Sequence, residues 1–280
     1  MSAGKIGVVI TTYNEAENIG SVLRAVWKTF AFGPEVEIYV VDAASTDGTP
    51  DKALLHGACV MRLETREGIG PALMRGWRKA LADGCALVGQ MDAGGSHGAA
   101  DLARCLNWAA VWAAEHPATL VIGSRFEPGE GGYSGRLWRR SASWAMGWLC
   151  DRIAGERLHD WTSGLRAFSA PALEKLLRYE YQAQMHGWQI EALNCALQSG
   201  VHVVSAPIRY QAGRSSFSRR AAMEAIRAMR GVWEDYHGLC CEEMADSRGL
   251  LQGFNQKSIR DVLAEAGDWR EEKTHDRTDP

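Results

Sequence analysis

The sequence predicts an α/β protein with a mostly parallel central sheet flanked by helices. Short apolar runs rich in β-branched residues alternate with stretches of helical spacing through the first half of the chain. The apolar runs are nearly continuous, which is typical of parallel strands covered on both faces. Polar side chains follow several of these runs directly, so a binding site is expected at the carboxyl ends of the strands.

Each element of the first half is predicted from its periodicity. The first helix carries an apolar face at helical spacing from Ile19 to Trp27. The segment Ser45–Thr49 is a turn that leads into the second helix. The predicted strands are Lys5–Thr12, Glu37–Asp42, Cys59–Leu63, Ala86–Asp92 and Thr119–Gly123. The first helix is predicted over Asn18–Phe30, and later helices over Pro71–Ala82 and Asp101–Ala114.

The second half is less regular. Its predicted elements are a glycine-rich loop (Glu127–Gly135), a tryptophan-bearing helix (Arg136–Ile153), a polar turn-like stretch (Asp160–Ala167), two helices (Pro171–Arg178 and Gly187–Gln198), a strand (His202–Arg209), a basic loop (Gln211–Arg220) and a helix (Met223–Tyr236). We expect one domain over residues 5–237. Residues 238–280, where charge rises and the apolar pattern thins, are expected to form a helical appendage that ends in a disordered tail.

Composition excludes several classes of protein. Among 280 residues, 46% are hydrophobic and 23% charged, which is ordinary for a folded domain. The net charge of −3 gives no bulk attraction to nucleic acid, so no nucleic-acid partner is expected. The seven cysteines form no Cys-x-x-Cys pair, which argues against a disulfide framework and a zinc site and favours a reducing cytoplasm. We expect no signal peptide and no membrane span. A homo-oligomer is compatible with this composition.

The polar residues at the strand ends are expected to converge on one crevice. Tyr13, Asn14 and Glu15 follow the first strand, while Asp42 and Asp92 end the second and fourth predicted strands. The turn after the first strand lacks a glycine fingerprint for dinucleotides, which argues against hydride transfer. The chain has no Walker loop and no Gly-x-Ser-x-Gly elbow, which argues against ATPases and serine hydrolases.

Six motifs occur in order along the chain: TTYNEAENI (Thr11–Ile19), VDAASTDGT (Val41–Thr49), GQMDAGGSH (Gly89–His97), GSRF (Gly123–Phe126), DWTSGLRAF (Asp160–Phe168) and PIRYQAGRSSFSR (Pro207–Arg219). Together they resemble family 2 glycosyltransferases of the GT-A fold, and most closely the dolichyl-phosphate mannose synthase-like branch. The resemblance spans roughly residues 5–230. It implies a Rossmann-like nucleotide-binding sheet and an inverting transfer of a sugar from a nucleotide diphosphate sugar.

The resemblance implies a donor site at the strand ends and in the basic loop. The residues that it implies for donor binding are Thr12, Tyr13, Asn14, Glu15, Asp42, Asp92, Ala93, Arg214 and Arg219. Arg214 and Arg219 would offset the charge of the leaving diphosphate. Ala43 replaces the family's usual second acid and Ala44 the usual glycine, so both a GDP-mannose-like donor and a UDP-sugar stay open.

Asp92 matches the first aspartate of the family's metal motif, and Gly94 replaces the second. Mg²⁺ commonly takes one or two carboxylates and completes its shell with phosphates and waters. Asp92 is therefore expected to hold Mg²⁺ or Mn²⁺ together with the donor diphosphate. Ser96 and His97 are candidate helpers, and weaker metal binding than in relatives is expected.

The resemblance also implies an acceptor site. Its residues are Arg125, Arg139, Ser143, Asp160, Ser163 and Gln189, and Arg140 is the alternative if the register slips by one. Arginine suits a phosphate because its planar fork binds two oxygens. Asp160 is the candidate base for a hydroxyl acceptor, whereas an anionic phosphate needs none. The expected catalytic residues are Asp92, Asp160 and Arg214.

The predicted helix at Arg136–Ile153 has two interpretations. Trp138, Trp144 and Trp148, with three nearby arginines, suit the surface of a membrane and a lipid-linked acceptor. A stripe at helical spacing is more often part of a core. The first interpretation places the protein in the cytoplasm with a peripheral contact at the inner face of the membrane.

Three hypotheses of function follow. The first is a glycosyltransferase that makes a polyprenyl-phosphate sugar. The second is a soluble glycosyltransferase with a small-molecule acceptor in specialised metabolism. The third is a non-catalytic nucleotide-binding protein, which the replacements at Ala43 and Gly94 favour.

Overall fold

A computed structural model describes residues 4–127, 131–211 and 219–243. The strands in these ranges are β1 (Ile6–Thr12), β2 (Val36–Asp42), β3 (Cys59–Arg62), β4 (Leu87–Asp92), β5 (Thr119–Ser124), β6 (Gly132–Ser134), β7 (Arg166–Ser169), β8 (His202–Pro207) and β9 (Arg209–Gln211). The helices are α1 (Ile19–Phe30), α2 (Thr49–Leu55), α3 (Ile69–Ala82), α4 (Ala99–Ala113), α5 (Leu137–Ala154), α6 (Ala170–Leu176), α7 (Gly187–Gln198) and α8 (Arg219–Glu243).

The central sheet confirms the predicted α/β class. Within the described residues it has seven strands in the order β3-β2-β1-β4-β7-β5-β8. Adjacent strands are parallel except at β7, which runs antiparallel to both β4 and β5. The strands β1, β2 and β4 lie side by side, which brings their carboxyl ends to one edge.

The predicted turn-like stretch Asp160–Ala167 is irregular over its first six residues, as expected, but its last two residues belong to the strand β7. Arg166 hides the strand in the sequence, because a charged residue breaks the apolar run that marks a buried strand. Its side chain is fully buried and donates to the carbonyl oxygens of Ser163, Trp161 and Gln189 at 2.7–3.2 Å. Burial lowers the pKa of Arg166 to about 10, although the charge of Asp160 acts in the other direction.

A second, two-stranded sheet lies outside the central one. The strands β6 and β9 pair in parallel, and their register sets Tyr133 opposite Tyr210. Each strand has three residues, and β6 lies within the segment expected to be a glycine-rich loop. Neither strand is long enough to show a period in the sequence.

The tryptophans divide between the core and the surface. Trp77, Trp161 and Trp188 are fully buried, and the ring of Trp77 lies 5.3 Å from that of Trp188. On α5, by contrast, Trp138 is 51% exposed and Trp148 is 39% exposed. The core interpretation therefore fails for α5.

The chain divides into one compact unit through Val232 and a second from Trp233. The predicted boundary at residue 237 falls inside α8 and stays a prediction, because most of residues 238–280 lie outside the described ranges. No helix in the described ranges combines the length and the apolarity that a membrane span requires.

Candidate active site

The carboxyl ends of β1, β2 and β4 lie side by side, as predicted. Parallel register sets Thr12 of β1 beside Asp42 of β2, and Thr11 beside Asp92 of β4. This edge borders a cavity of 630 Å³ whose wall includes Tyr13 and Asp92. The expected donor residues on this wall are Thr12, Tyr13, Asn14, Glu15, Asp92 and Ala93.

Asp42 lies behind the wall. Its carboxylate is fully buried and accepts hydrogen bonds from the Thr12 hydroxyl and from the backbone N–H of Ser45, both at 3.0 Å. A buried carboxylate with these partners orders the strand end. The contact with the donor that is expected of Asp42 stays a prediction.

The loops after β1 and β2 are joined by hydrogen bonds. The backbone N–H of Asn14 donates to the Ser45 hydroxyl at 2.8 Å, and the N–H of Thr46 donates to Oδ1 of Asn14 at 2.9 Å. Asn14 and Ala44 adopt left-handed backbone with φ of 53° and 59°. Asparagine tolerates this region, whereas an alanine costs about 1–2 kcal/mol there. The conformation at Ala44 gives a physical reason for the glycine that the resemblance leads one to expect.

Arg66 is a cavity residue that the sequence analysis missed. Its Cζ lies 4.1 Å from the centroid of the Tyr13 ring, within cation–π distance. Both side chains line the cavity beside Ala43. Arg66 follows the short strand β3 in a segment without a motif, so nothing in the sequence distinguished it from a solvated arginine.

Asp92 presents its carboxylate to the cavity. Half of the side chain is accessible there, and Oδ2 lies 3.5 Å from Nε2 of the buried His97. Burial acts to raise the pKa of Asp92, but the hydrogen bond and charge of His97, with the charges of His186 and Arg125, outweigh it and lower the pKa. The carboxylate is therefore available as an anion at neutral pH.

The surroundings of Asp92 fit a divalent cation that arrives with a diphosphate. A carbon built as Cβ on Gly94 would lie 3.6 Å from Oε1 of Glu15, so a second carboxylate borders the space where the family's second aspartate would begin. Carboxylate oxygens are the ligands that Mg²⁺ and Mn²⁺ prefer. Among the described residues, however, no three His, Cys, Asp or Glu side chains form a metal cluster. The protein alone offers a partial shell that phosphate oxygens can complete.

Arg125 and Asp160 form a buried pair at the other end of the cavity. Nε and Nη2 of Arg125 donate to the two carboxylate oxygens at 2.7 Å each, and the Arg125 backbone N–H adds a bond at 3.0 Å. Nη2 also donates to the Thr162 hydroxyl at 2.6 Å. Burial acts against the charge of Arg125, but Asp160 outweighs it and raises the pKa. Arg125 lines the cavity, while Asp160 is fully buried behind it.

This pairing bears on the expected role of Asp160. Its oxygens are engaged by Arg125, and it has no exposed surface from which to take a proton. The geometry favours a role for Asp160 in positioning Arg125, and its role as a base for a hydroxyl acceptor stays a prediction. Ser163 is likewise buried away from the wall, and its hydroxyl oxygen accepts from the N–H of Leu165.

Arg139 and Ser143 extend from α5 into the same cavity. Nε of Arg139 is buried and has no hydrogen-bond partner within the described ranges. The neighbouring Arg140 is exposed, so the register favours Arg139. Gln189 of α7 also lines the cavity, and its buried Oε1 is without a partner in the part of the chain that the structure describes.

Two further predictions lie beyond what the structure describes. Arg214 is outside the described ranges, and Arg219 begins α8 with its side chain outside them. Their roles therefore stay predictions.

The Arg125 end of the cavity also contains residues that the sequence analysis did not single out, although Tyr210 lies within the sixth motif. Tyr133 and Tyr210 lie over Arg125, with ring centroids 5.9 Å and 5.3 Å from its Cζ. His186 lines the cavity beside them, and its burial lowers its pKa against the charges of Asp92 and Glu224. The pairing of β6 with β9 brings the two tyrosines together, and no local pattern in the sequence announces that pairing.

The cavity wall continues into exposed apolar side chains. Trp138 and Ile226 both line it and are 51% and 41% exposed. Met146 also lines it. An arginine-bearing cavity bordered by exposed apolar residues suits a ligand with an anionic head and an apolar chain.

Comparison with known proteins identifies the family. The family model described as glycosyl transferase family 2 matches residues 7–177. The chain belongs to glycosyltransferase family 2. This membership makes it an enzyme of the glycosyltransferase class and confirms the resemblance drawn from the six motifs.

Two relatives cover most of this glycosyltransferase. A polyprenol monophosphomannose synthase from Mycolicibacterium smegmatis is 32% identical over 81% of this chain and 85% of its own. An undecaprenyl-phosphate mannosyltransferase from Micrococcus luteus is 33% identical over 79% and 91%.

Solved structures confirm the GT-A fold. Glucosyl-3-phosphoglycerate synthase from Mycobacterium tuberculosis, solved with Mn²⁺, uridine diphosphate and glucosyl-3-phosphoglycerate, superposes with a TM-score of 0.61 at 22% identity, over 84% of this chain and 80% of that one. The same enzyme was also solved with Mg²⁺ and uridine diphosphate.

Proposed function

We propose that this glycosyltransferase transfers a hexose, with mannose the first candidate, from a nucleotide diphosphate sugar to a polyprenyl phosphate with inversion at the anomeric carbon. The observation that carries the proposal is one cavity that holds both the accessible carboxylate of Asp92 and the cations of Arg125 and Arg139. The two relatives, whose names describe mannose transfer to polyprenol or undecaprenyl phosphate, support it.

At the donor end, the loops after β1 and β2 would hold the nucleoside against Tyr13 and Ala43. Asp92, with Glu15 beside it, would hold Mg²⁺ or Mn²⁺ on the donor diphosphate, and the metal supplies charge neutralisation of the leaving group when bound. Arg66 adds a cation on the same wall. Arg214 and Arg219 are expected to complete this neutralisation.

At the acceptor end, Arg125 and Arg139 would bind the phosphate head. Nε and Nη2 of Arg125 are committed to Asp160, which fixes the direction in which its remaining nitrogen points. A phosphate oxygen then attacks the anomeric carbon while the bond from that carbon to the diphosphate breaks, and the nucleoside diphosphate leaves. The attacking oxygen is already anionic near neutral pH, so the engagement of Asp160 by Arg125 removes no necessary base.

The apolar chain of the acceptor accounts for the exposed residues of α5 and α8. Trp138, Trp144 and Trp148 project from α5, and Ile226 projects from α8 beside the cavity. Tryptophan favours the interface between lipid and water because it combines an apolar ring with a hydrogen-bond donor. We therefore also propose a peripheral contact between this surface and a membrane that carries the acceptor.

Incubation with radiolabelled nucleotide sugars and polyprenyl phosphate tests the proposal. The expected product is a labelled polyprenyl-phosphate sugar that needs Mg²⁺ or Mn²⁺. A labelled soluble acceptor with no lipid product for any donor would replace the proposal with a small-molecule glycosyltransferase. Nucleotide binding without turnover at any metal concentration would favour a non-catalytic protein.

A further inference from the structure

Tyr210 lies where the donor end and the acceptor end of the cavity meet. It is the middle residue of β9, and its ring stacks on that of Tyr133 with centroids 5.2 Å apart. The same ring centroid lies 5.3 Å from Cζ of Arg125, a distance at which the ring attracts a cation. Tyr210 is thereby in contact with the arginine proposed to bind the acceptor phosphate.

Tyr210 also contacts the loop that follows Asp92. Its ring meets the His97 ring edge-on at 5.3 Å, and Nε2 of His97 lies 3.5 Å from Asp92. Ser96 and Tyr210 line the same cavity. In addition, the backbone N–H of Gln211 donates to the Ser96 carbonyl oxygen at 3.0 Å. A ring contact and a backbone hydrogen bond thus join β9 to the loop after Asp92.

We propose that Tyr210 is a positioning residue that holds Arg125 in register with the Asp92 loop, so that the acceptor phosphate and the anomeric carbon meet in a reactive geometry. The proposal rests on the proposed function for the identity of the two substrates. Reactive geometry is lost with displacements of about 1 Å, so removal of the ring lowers kcat more than it raises KM. Because both substrates order the same side chain, each also favours binding of the other.

Tyr133 provides a matched control. Its ring lies 5.9 Å from Cζ of Arg125, on the same small sheet. Within the described ranges its ring partners are Phe126 and Tyr210, neither of which belongs to the loop after Asp92. Tyr133→Leu therefore disturbs the acceptor arginine without cutting a direct contact to the donor loop.

The experiment compares Tyr210→Leu, Tyr210→Phe, Tyr133→Leu and the unmodified enzyme, each shown to be folded by thermal unfolding. One measurement is kcat and KM with a nucleotide sugar and a short-chain polyprenyl phosphate. The other is the affinity for a nucleoside diphosphate with Mn²⁺, taken with and without that prenyl phosphate.

Tyr210→Leu is expected to lower kcat by about 100-fold and to abolish a gain of about fivefold in diphosphate affinity that the prenyl phosphate gives the unmodified enzyme. Tyr210→Phe should keep most of kcat, and Tyr133→Leu should chiefly raise the KM for the acceptor. Equal effects of the two leucine variants, or an unmodified enzyme whose two ligands bind independently, would overturn the role of Tyr210. Failure of the unmodified enzyme to make a lipid product would overturn the proposed function instead, and the binding measurement would still decide the role of Tyr210.

Discussion

The two ends of the cavity are held together by different kinds of contact. At the donor end, backbone N–H groups of the loops after β1 and β2 bond to short polar side chains, as between Asn14 and Ser45. At the acceptor end, a buried ion pair joins Arg125 to Asp160, and rings from β6 and β9 cover it. The buried carboxylate of Asp42 at the donor end accepts only from neutral donors, the Thr12 hydroxyl and the Ser45 N–H. The buried pair at the acceptor end joins two opposite charges, and loss of either partner leaves the other charge buried and unpaired.

The largest expected effect is a difference in the free energy of unfolding between a substitution at the acceptor end and one at the donor end. Asp160→Asn leaves Arg125 buried without a countercharge and should reduce the free energy of unfolding by about 3–5 kcal/mol. The matched variant Asp42→Asn, whose partners are neutral, should cost about 1–3 kcal/mol. Denaturant unfolding of both variants measures the difference.

A double variant sharpens the same comparison. Arg125→Met with Asp160→Leu removes both charges and should recover most of the stability that Asp160→Asn loses. It should not recover transfer to polyprenyl phosphate. Asp42→Asn being the more damaging change would contradict the contrast between the two ends.

The next effect concerns the donor end alone. Asp92→Asn removes the accessible carboxylate and should weaken Mn²⁺-dependent binding of a nucleoside diphosphate by at least the roughly 10- to 100-fold that loss of an outer partner of a metal ligand costs. Chelation of the metal should reduce binding by the unmodified enzyme to the same level. Thermal shift with GDP and UDP, with and without Mn²⁺, measures this. An unchanged metal response in Asp92→Asn would show that the metal lies elsewhere.

Arg139 tests the acceptor end without disturbing the buried pair. Arg139→Gln removes a charge-assisted bond and should raise the KM for polyprenyl phosphate by about tenfold, with the diphosphate affinity unchanged. The adjacent and exposed Arg140 supplies the control, because Arg140→Gln removes the same charge from the same helix. Equal effects of the two substitutions would point to general attraction of an anion rather than to a site.

The smallest expected effect is an increase in metal affinity. A side chain at Gly94 meets Glu15 only at an ordinary contact of 3.6 Å, so Gly94→Asp should fit. A second aspartate should raise the affinity for Mn²⁺ in the presence of diphosphate by about two- to tenfold, because it adds a carboxylate to the partial shell. Titration calorimetry measures the change. Weaker binding would mean that Glu15 already fills the position and repels the new carboxylate.

The sequence predicts the donor end of the cavity better than the acceptor end. At the donor end, most of the functional residues end a strand or follow one within three residues, so alternating elements and short motifs place Asp92 and Glu15 on one edge. Arg66, four residues after β3, was missed. At the acceptor end, Arg125 and Asp160 are 35 residues apart, and their pairing depends on an antiparallel strand hidden by Arg166. The motifs marked both residues as functional. They did not show that Arg125 donates hydrogen bonds to both carboxylate oxygens of Asp160, because only the folded chain brings the two residues together.

The contact of the two tyrosines with Arg125 could not be predicted from the sequence for the same reason. Tyr133 and Tyr210 meet through strands of three residues each, which are too short to show a period. For Asp42 the sequence predicted the position but not the environment of the side chain. Its burial beneath Thr12 follows from side-chain packing that no sequence pattern states.

A crystal structure with a nucleoside diphosphate and Mn²⁺ tests the central claim most directly, since anomalous scattering locates the metal. We predict a manganese peak within about 2.0–2.3 Å of an Asp92 carboxylate oxygen, with the nucleoside against Tyr13 and open space between the diphosphate and Arg125. A nucleotide bound away from this edge of the sheet, or a metal without a bond to Asp92, would contradict the account.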